Sequence, residues 1–418
     1  MTVDGEPFPV SVKRLTVDGE QLTVSRSRFS TIFTTTPEAK MKWTQRHQTK
    51  NMNIFETYQF TAAQQLASNR IALAPMTNMQ SHQDGTLSDD EYHWLVRRAE
   101  GGFGIIITCA AHVSKDGQGW QGELGIHDDA MIPGLSRLAE GIHAHSVLGI
   151  VQLFHGGARS PVSVTGQQPW SASAHLFKVG STEVEVRAGS LEDIENTIQA
   201  FTQAALRAHQ SGLAGVELHG AHGYLLHQFL STATNQRTDE WGGSFEKRSL
   251  FIRTILKNIR MTLPRDFIVG VRLSPEDKYN FQGIDFDESL QLAALLAAEG
   301  ADYIHVSPWN ALKRPEKYPD TDKALITYFR EAVPSSTALI VAGEIWTPAD
   351  AQKALDLGAD FVALGRAGIG IPDWPIRARN KDYIPHRPPY TEKNLREAGL
   401  SDTFIQYMRK WKGFVEGS

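Results

Sequence analysis

Apolar residues along this chain come in short, dense runs, and each run is followed by a stretch with helical spacing. Eight such runs occupy residues 70–75, 104–113, 148–155, 215–222, 267–275, 302–308, 339–344 and 360–365. Most are continuous in Val, Ile and Leu, the pattern of parallel strands covered on their outer face. Over residues 89–100, Tyr92, Leu95, Val96 and Ala99 fall at i, i+3, i+4 and i+7 and share one helical face. Residues 191–209 predict a second helix, with Ser190 as N-cap and Asp193 near the positive end of the helix dipole. Residues 286–299 and 348–357 repeat the plan. Eight strand–helix units in series predict an α/β fold, a closed (β/α)8 TIM barrel in a single domain. A doubly wound open sheet fits less well, because no dinucleotide fingerprint is present. The one GxGxxG match, Gly117 to Gly122, does not open a helix directly after its strand and reads as a loop.

The pattern breaks in four places. Residues 156–190 and 225–245 are connections too long for plain turns. Both leave the C-terminal face, where barrels build their sites, and at that length they read as lids or binding loops. Residues 1–50 are rich in Thr and Ser and repeat Thr-Val-Asp-Gly-Glu at 2–6 and 16–20. They read as a loosely attached extension, with a hairpin expected around residues 21–24 and Met41 or Met52 as alternative starts. The barrel is assigned to residues 51–384. Residues 385–418 are expected to form a Pro-rich linker and a helix over 402–414, packed outside the barrel or on a partner subunit, so a homo-oligomer is an open expectation.

Composition narrows the class. The chain is 41% hydrophobic and 21% charged, enough to bury a large core. A net charge of −5 gives no electrostatic case for nucleic acid or anionic membrane as partner. Cys109 is the single cysteine, so neither an intrachain disulfide nor a multi-thiolate cluster can form. A reducing, cytoplasmic location is expected. No apolar run approaches the ~20 residues of a membrane span, and the first residues lack the basic-then-apolar order of a secretory signal.

Strand ends are where a barrel keeps its catalytic side chains. The fourth gives His219, His222 and Tyr224; the fifth, Arg272; the third, Gln152 and then His155-Gly156-Gly157; the first, Pro75, Met76 and Thr77. Gly343 ends the seventh, and Gly365 and Arg366 end the eighth. Glycines and an arginine there suit a phosphate, although both are also ordinary turn chemistry. Arg272 in an apolar strand needs an anionic partner, a ligand or a salt bridge. Gln152 is either a satisfied core amide or a partner for a ring offering donor and acceptor. His219 and His222 can donate to one oxygen, or bind a metal with His227 as third ligand. Against the metal stands Arg366, whose charge repels a cation.

These blocks together resemble the Old Yellow Enzyme family of NAD(P)H:flavin oxidoreductases, or ene-reductases. The resemblance covers residues 69–374. It rests on Asn69-Arg70-Ile71-Ala72-Leu73-Ala74-Pro75-Met76-Thr77, on Gln152-Leu153-Phe154-His155-Gly156-Gly157-Ala158-Arg159 and on Glu217-Leu218-His219-Gly220-Ala221-His222-Gly223-Tyr224 with its continuation to Leu230. The stretch from Asn235 to Ser244 and the strand Val271-Arg272-Leu273-Ser274 complete it. It implies non-covalent FMN with NAD(P)H as hydride donor. Ala74 to Thr77 and Ala110 would line the ring, Gln152 and Arg272 would meet its polar edge, and Gly343, Gly365 and Arg366 would hold the phosphate. It further implies that His219 and His222 bind the carbonyl oxygen of an enone-type substrate while Tyr224 protonates it. Met79 and Phe154 would border the substrate pocket, Met79 without a hydroxyl and Phe154 narrowing it. The same-class alternative is a flavin reductase or oxidase with a non-alkene acceptor. The different-class alternative is a His-ligated metal hydrolase.

Overall fold

The computed structural model describes residues 13–17, 20–24, 53–179, 182–276 and 283–418. The chain divides into two compact units, Met1–Asn51 and Met52–Ser418. In the first, Lys13–Val17 and Glu20–Val24 pair antiparallel, the hairpin expected from the alternation at residues 21–24. The rest of that extension lies outside the described residues.

In the second unit, eight parallel strands close on themselves: β1 Ile71–Leu73, β2 Ile105–His112, β3 Leu148–Phe154, β4 Gly215–Gly220, β5 Ile268–Leu273, β6 Tyr303–Val306, β7 Ala338–Ala342 and β8 Phe361–Leu364. They pair in sequence order, and β1 pairs with both β2 and β8. Every residue of these strands is buried, as continuous apolar runs require. Helices α1 Asp89–Glu100, α2 Ile132–His143, α3 Leu191–Gln210, α4 Leu250–Thr262, α5 Phe286–Ala298, α6 Leu325–Ala332, α7 Pro348–Asp356 and the short α8 Arg366–Gly370 follow in turn. Asp193 does more than face the α3 dipole. It completes a capping box, with Asp193 N–H donating to Ser190 Oγ at 3.0 Å and Ser190 N–H donating to Asp193 Oδ2 at 2.7 Å.

The N-terminal end of the barrel is plugged by a hairpin, Tyr58–Gln59 paired with Leu66–Ala67. Phe60 stacks on Phe361 with ring centroids 5.7 Å apart, and Tyr58 meets Phe361 edge-on at 4.9 Å. Ligand space is therefore left at the C-terminal face.

Two expectations need correction. Residues 156–190 are not simply a loop. They hold an antiparallel hairpin, His175–Val179 with Thr182–Ala188, and Trp170–Ser171 runs beside its end. The alternation Thr-Glu-Val-Glu-Val-Arg-Ala was the strand signal, hidden by the length of the connection. The helix expected over 402–414 ends early, as α10 Asp402–Met408, and a further short helix, α9 Glu392–Glu397, precedes it. They pack on their own barrel: Phe404 meets Trp94 of α1 with centroids 5.3 Å apart, and Ser401 Oγ donates to Gln80 Oε1 at 2.6 Å.

Candidate active site

Strand β4 carries the densest polar chemistry. Alternation along it turns Glu217 and His219 to the same side. His219 lies opposite Arg272 of β5, and Glu217 lies opposite Gln152 of β3. Past the strand, His222 and Gly223 adopt φ of 61° and 73°. This left-handed pair reverses the chain, so Tyr224 comes back as N-cap of a short helix, Leu225–Leu230. His222 N–H donates to Ser274 Oγ at 3.0 Å and anchors the turn to the end of β5.

The turn gathers three rings. His219 lies 5.1 Å from His222 and 5.1 Å from Tyr224, centroid to centroid. Phe154 supports them from behind, edge-on to Tyr224 at 4.5 Å. Phe154 is 0% exposed and packs against both the Tyr224 and His219 rings. Arg159 lies over the Tyr224 ring at 4.5 Å and donates from Nη1 to the His222 carbonyl at 2.7 Å.

Enclosure by protein atoms and the nearby Arg272 charge push both imidazoles well below their usual range. His222 opens to solvent on one side, and enclosure on its other sides, followed by the Arg272 charge, lowers it. Both histidines are neutral at pH 7 and can donate only through a ring N–H. Burial pushes the Tyr224 phenol up, although Arg159 opposes it. Tyr224 therefore keeps its proton.

Below the rings, Arg272 donates from Nη2 to Ser307 Oγ at 3.0 Å, and Ser307 Oγ also lies 2.9 Å from His222 Nε2. Ser307 thus links the arginine to the histidine turn. Arg272 Nε and His219 Nδ1 are buried without a hydrogen-bond partner. Gln152 donates from Nε2 to Glu217 Oε1 at 2.7 Å, which commits one of its groups. Ala110 sits opposite Gln152 after a register shift in β2. Ala74 and Pro75 are buried beside this floor, while Met76, Thr77 and Met79 are half-buried.

Gly343 follows β7 with φ of 130°, and its carbonyl accepts from Ala311 N–H at 3.0 Å. Gly365 caps α8 close to Met76. Arg366 is engaged by Glu344 in an ion pair and lies 5.6 Å from the Trp346 ring, so its guanidinium is not idle at the rim.

The residues fit a planar flavin. An unpartnered guanidinium nitrogen, an amide with donor and acceptor to spare and a wall of alanines meet one recess. The metal alternative finds no such support. His227 lies on the short helix beside Leu230, Phe245 and Leu273, lining a different small cavity. Among the described residues, no group of three His, Cys, Asp or Glu side chains is placed to hold a metal. Sequence reasoning assigned no role to Glu217, Ser307, Tyr303, His305 or Arg159. Glu217 carried a signal, as a lone carboxylate in an apolar strand in phase with His219. Ser307 carried none.

Comparison with known proteins puts this barrel in the class of flavin oxidoreductases. Residues 53–383 match the NADH:flavin oxidoreductase / NADH oxidase family. The chain belongs to that family, the Old Yellow Enzymes. It is 36% identical over 330 residues to a probable NADH-dependent flavin oxidoreductase of Bacillus subtilis, covering 78% of this chain and 87% of that one. It is also 36% identical over 324 residues to an NADH:acrylate oxidoreductase of Vibrio harveyi, covering 75% of this chain but only 32% of that protein. Among solved structures, the Old Yellow Enzyme homologue of Zymomonas mobilis superposes with a TM-score of 0.72 at 26% identity, over 85% of this chain and 99% of that one. Morphinone reductase in complex with tetrahydroNAD gives 0.71 at 28% identity, over 84% and 97%. No helix among the described residues is long and apolar enough to cross a membrane.

Proposed function

We propose that this protein transfers hydride from NAD(P)H, by way of FMN, to the activated carbon–carbon double bond of an α,β-unsaturated carbonyl, nitroalkene or quinone. The observation that carries the reading is one edge bearing two neutral imidazoles and a protonated phenol, His219, His222 and Tyr224, above the Arg272–Gln152 floor. FMN held there supplies the hydride. Ala74, Pro75, Met76, Thr77 and Ala110 line its ring, and Gln152 offers donor and acceptor to the ring's polar edge. Arg272 places a fixed positive charge where negative charge develops. Gly343 and Gly365 leave room for the phosphate, and Arg366 exchanges Glu344 for it.

His219 and His222 donate to the substrate oxygen. This draws electrons from the conjugated double bond and fixes the β carbon over the floor. Tyr224 holds a proton at Oη for the α carbon. Met79 borders the substrate space. The NADH-dependent name of the Bacillus relative favours NADH as donor, and it keeps a flavin reductase with a non-alkene acceptor as the second reading.

Purified protein should be yellow and release FMN on denaturation. Colourless protein that cannot be reconstituted with FMN would refute the reading. Tyr224→Phe should slow alkene reduction by about 100-fold and leave flavin reduction by NADH intact in stopped-flow traces. Equal loss in both half-reactions would make Tyr224 structural, and no alkene reduction by the parent would favour the second reading.

A further inference from the structure

The barrel interior holds a carboxylate that the reaction above does not use. Glu217 is 0% exposed. Three donors converge on it: Gln152 Nε2 to Oε1 at 2.7 Å, His305 Nδ1 to Oε2 at 2.8 Å and Tyr303 OH to Oε2 at 3.1 Å. Strand register brings them together, since Glu217 lies between Gln152 and Gly270, and Gly270 lies opposite Tyr303. Gly270 is required for this. A Cβ there would stand 1.9 Å from Tyr303 Cζ, so the phenol reaches Glu217 only because its ring crosses a bare backbone.

We propose that Glu217 is a positioning residue for the cofactor: it dictates which atoms the Gln152 amide turns toward FMN, and it sets the charge beneath the ring. The proposal rests on the FMN reading. A carboxylate only accepts hydrogen bonds, whereas an amide has one donor face and one acceptor face. Against Glu217 the Gln152 amide must turn its NH2 inward, because the flipped amide would set oxygen against oxygen. Its Oε1 and its second N–H are then free for the ring, in one orientation. A neutral partner able to donate as well as accept would leave both orientations open.

The charge has its own consequence. Burial opposes ionisation of Glu217, but His305, Arg272 and Gln152 outweigh it and hold the carboxyl below its usual range. Burial pushes His305 down while the Glu217 charge opposes that shift, and its Nδ1 faces the carboxylate. Arg272 is the permanent cation among the groups that act on this buried anion. Part of the Arg272 field is spent on Glu217, and less is left to favour reduction of a ring above it. A buried carboxylate is costly where only a hydrogen bond is needed, which argues that the charge itself matters.

The test uses the full chain reconstituted with FMN. Glu217→Gln keeps the shape and removes both the charge and the acceptor-only character. The flavin midpoint potential should rise, read by spectroelectrochemistry. Gln152→Ala should weaken FMN binding by about tenfold in the parent, and by much less when Glu217→Gln is already present, because the amide is no longer locked. An unchanged potential, or additive effects of the two substitutions, would overturn the proposal. If Glu217→Gln does not fold, Tyr303→Phe serves, since it keeps the carboxylate and removes one donor. The less-screened anion should then move the potential down, and no shift would overturn the proposal. A parent protein unable to bind FMN would remove the FMN reading and this inference with it. A parent that binds FMN while the variants behave as the parent removes this inference alone.

Discussion

The two halves of the barrel lining differ in kind. Strands β3 to β6 turn Gln152, Glu217, His219, Arg272, Tyr303 and His305 inward, and most of these groups are hydrogen-bonded to one another. Strands β7, β8 and β1 contribute Ala338, Ile340, Ala342, Phe361, Ala363, Ala72 and Ala74 to the interior, a lining rich in alanine. Burying a polar group costs free energy unless it finds a partner, so the polar half survives only as a network. The alanine half has no such constraint, and its side chains are buried in the packed interior. Polar chemistry thus comes from one side of the barrel and apolar packing from the other. The few groups the network leaves unpaired, Arg272 Nε and His219 Nδ1 among them, are those that a ligand can satisfy.

That division can be broken from either side. The largest effect is expected from Arg272→Met, which removes the cation of the polar half and leaves Glu217 buried without its counter-charge. FMN affinity should fall about 100-fold, the equivalent of one lost charge-assisted contact. The fluorescence of FMN released on dilution measures it, and unchanged affinity would show that the alanine half alone holds the cofactor. Next comes Gly343→Val on the other side. At φ of 130° a Cβ would lie 2.5 Å from the Pro308 carbonyl oxygen. Strain of this kind should cost about 2 kcal/mol of folding stability, visible as a lower Tm with or without FMN. An unaltered Tm would mean that this wall can yield.

The smallest effect concerns pH. His219 and His222 titrate below their usual range and Tyr224 above its own. Alkene reduction should therefore be flat from about pH 7 to pH 9. A rate that fell through the ordinary histidine range would show that the imidazoles are not held neutral. The sign for stability follows from the same shifts. The unfolded chain takes up these protons near pH 6.5 while the folded chain resists. The stability from the two histidines is thus complete above that pH and declines as pH falls below it.

The barrel was legible before any coordinates, because eight continuous apolar runs with helical spacing between them have few other ways to bury their faces. The sequence also located His219, His222, Tyr224, Gln152 and Arg272, because each is a polar residue at the end of an apolar run. The tertiary structure decided the rest. Only packing shows that Phe154 meets the Tyr224 and His219 rings. Ser307 became the link between Arg272 and His222, a contact across two strand ends that no spacing reveals. Glu217 was legible as an odd residue, but its partners come from β3 and β6, and register between strands sets them. Periodicity is a property of one segment, whereas a buried charge is defined by what faces it, and that is known only once the sheet has closed.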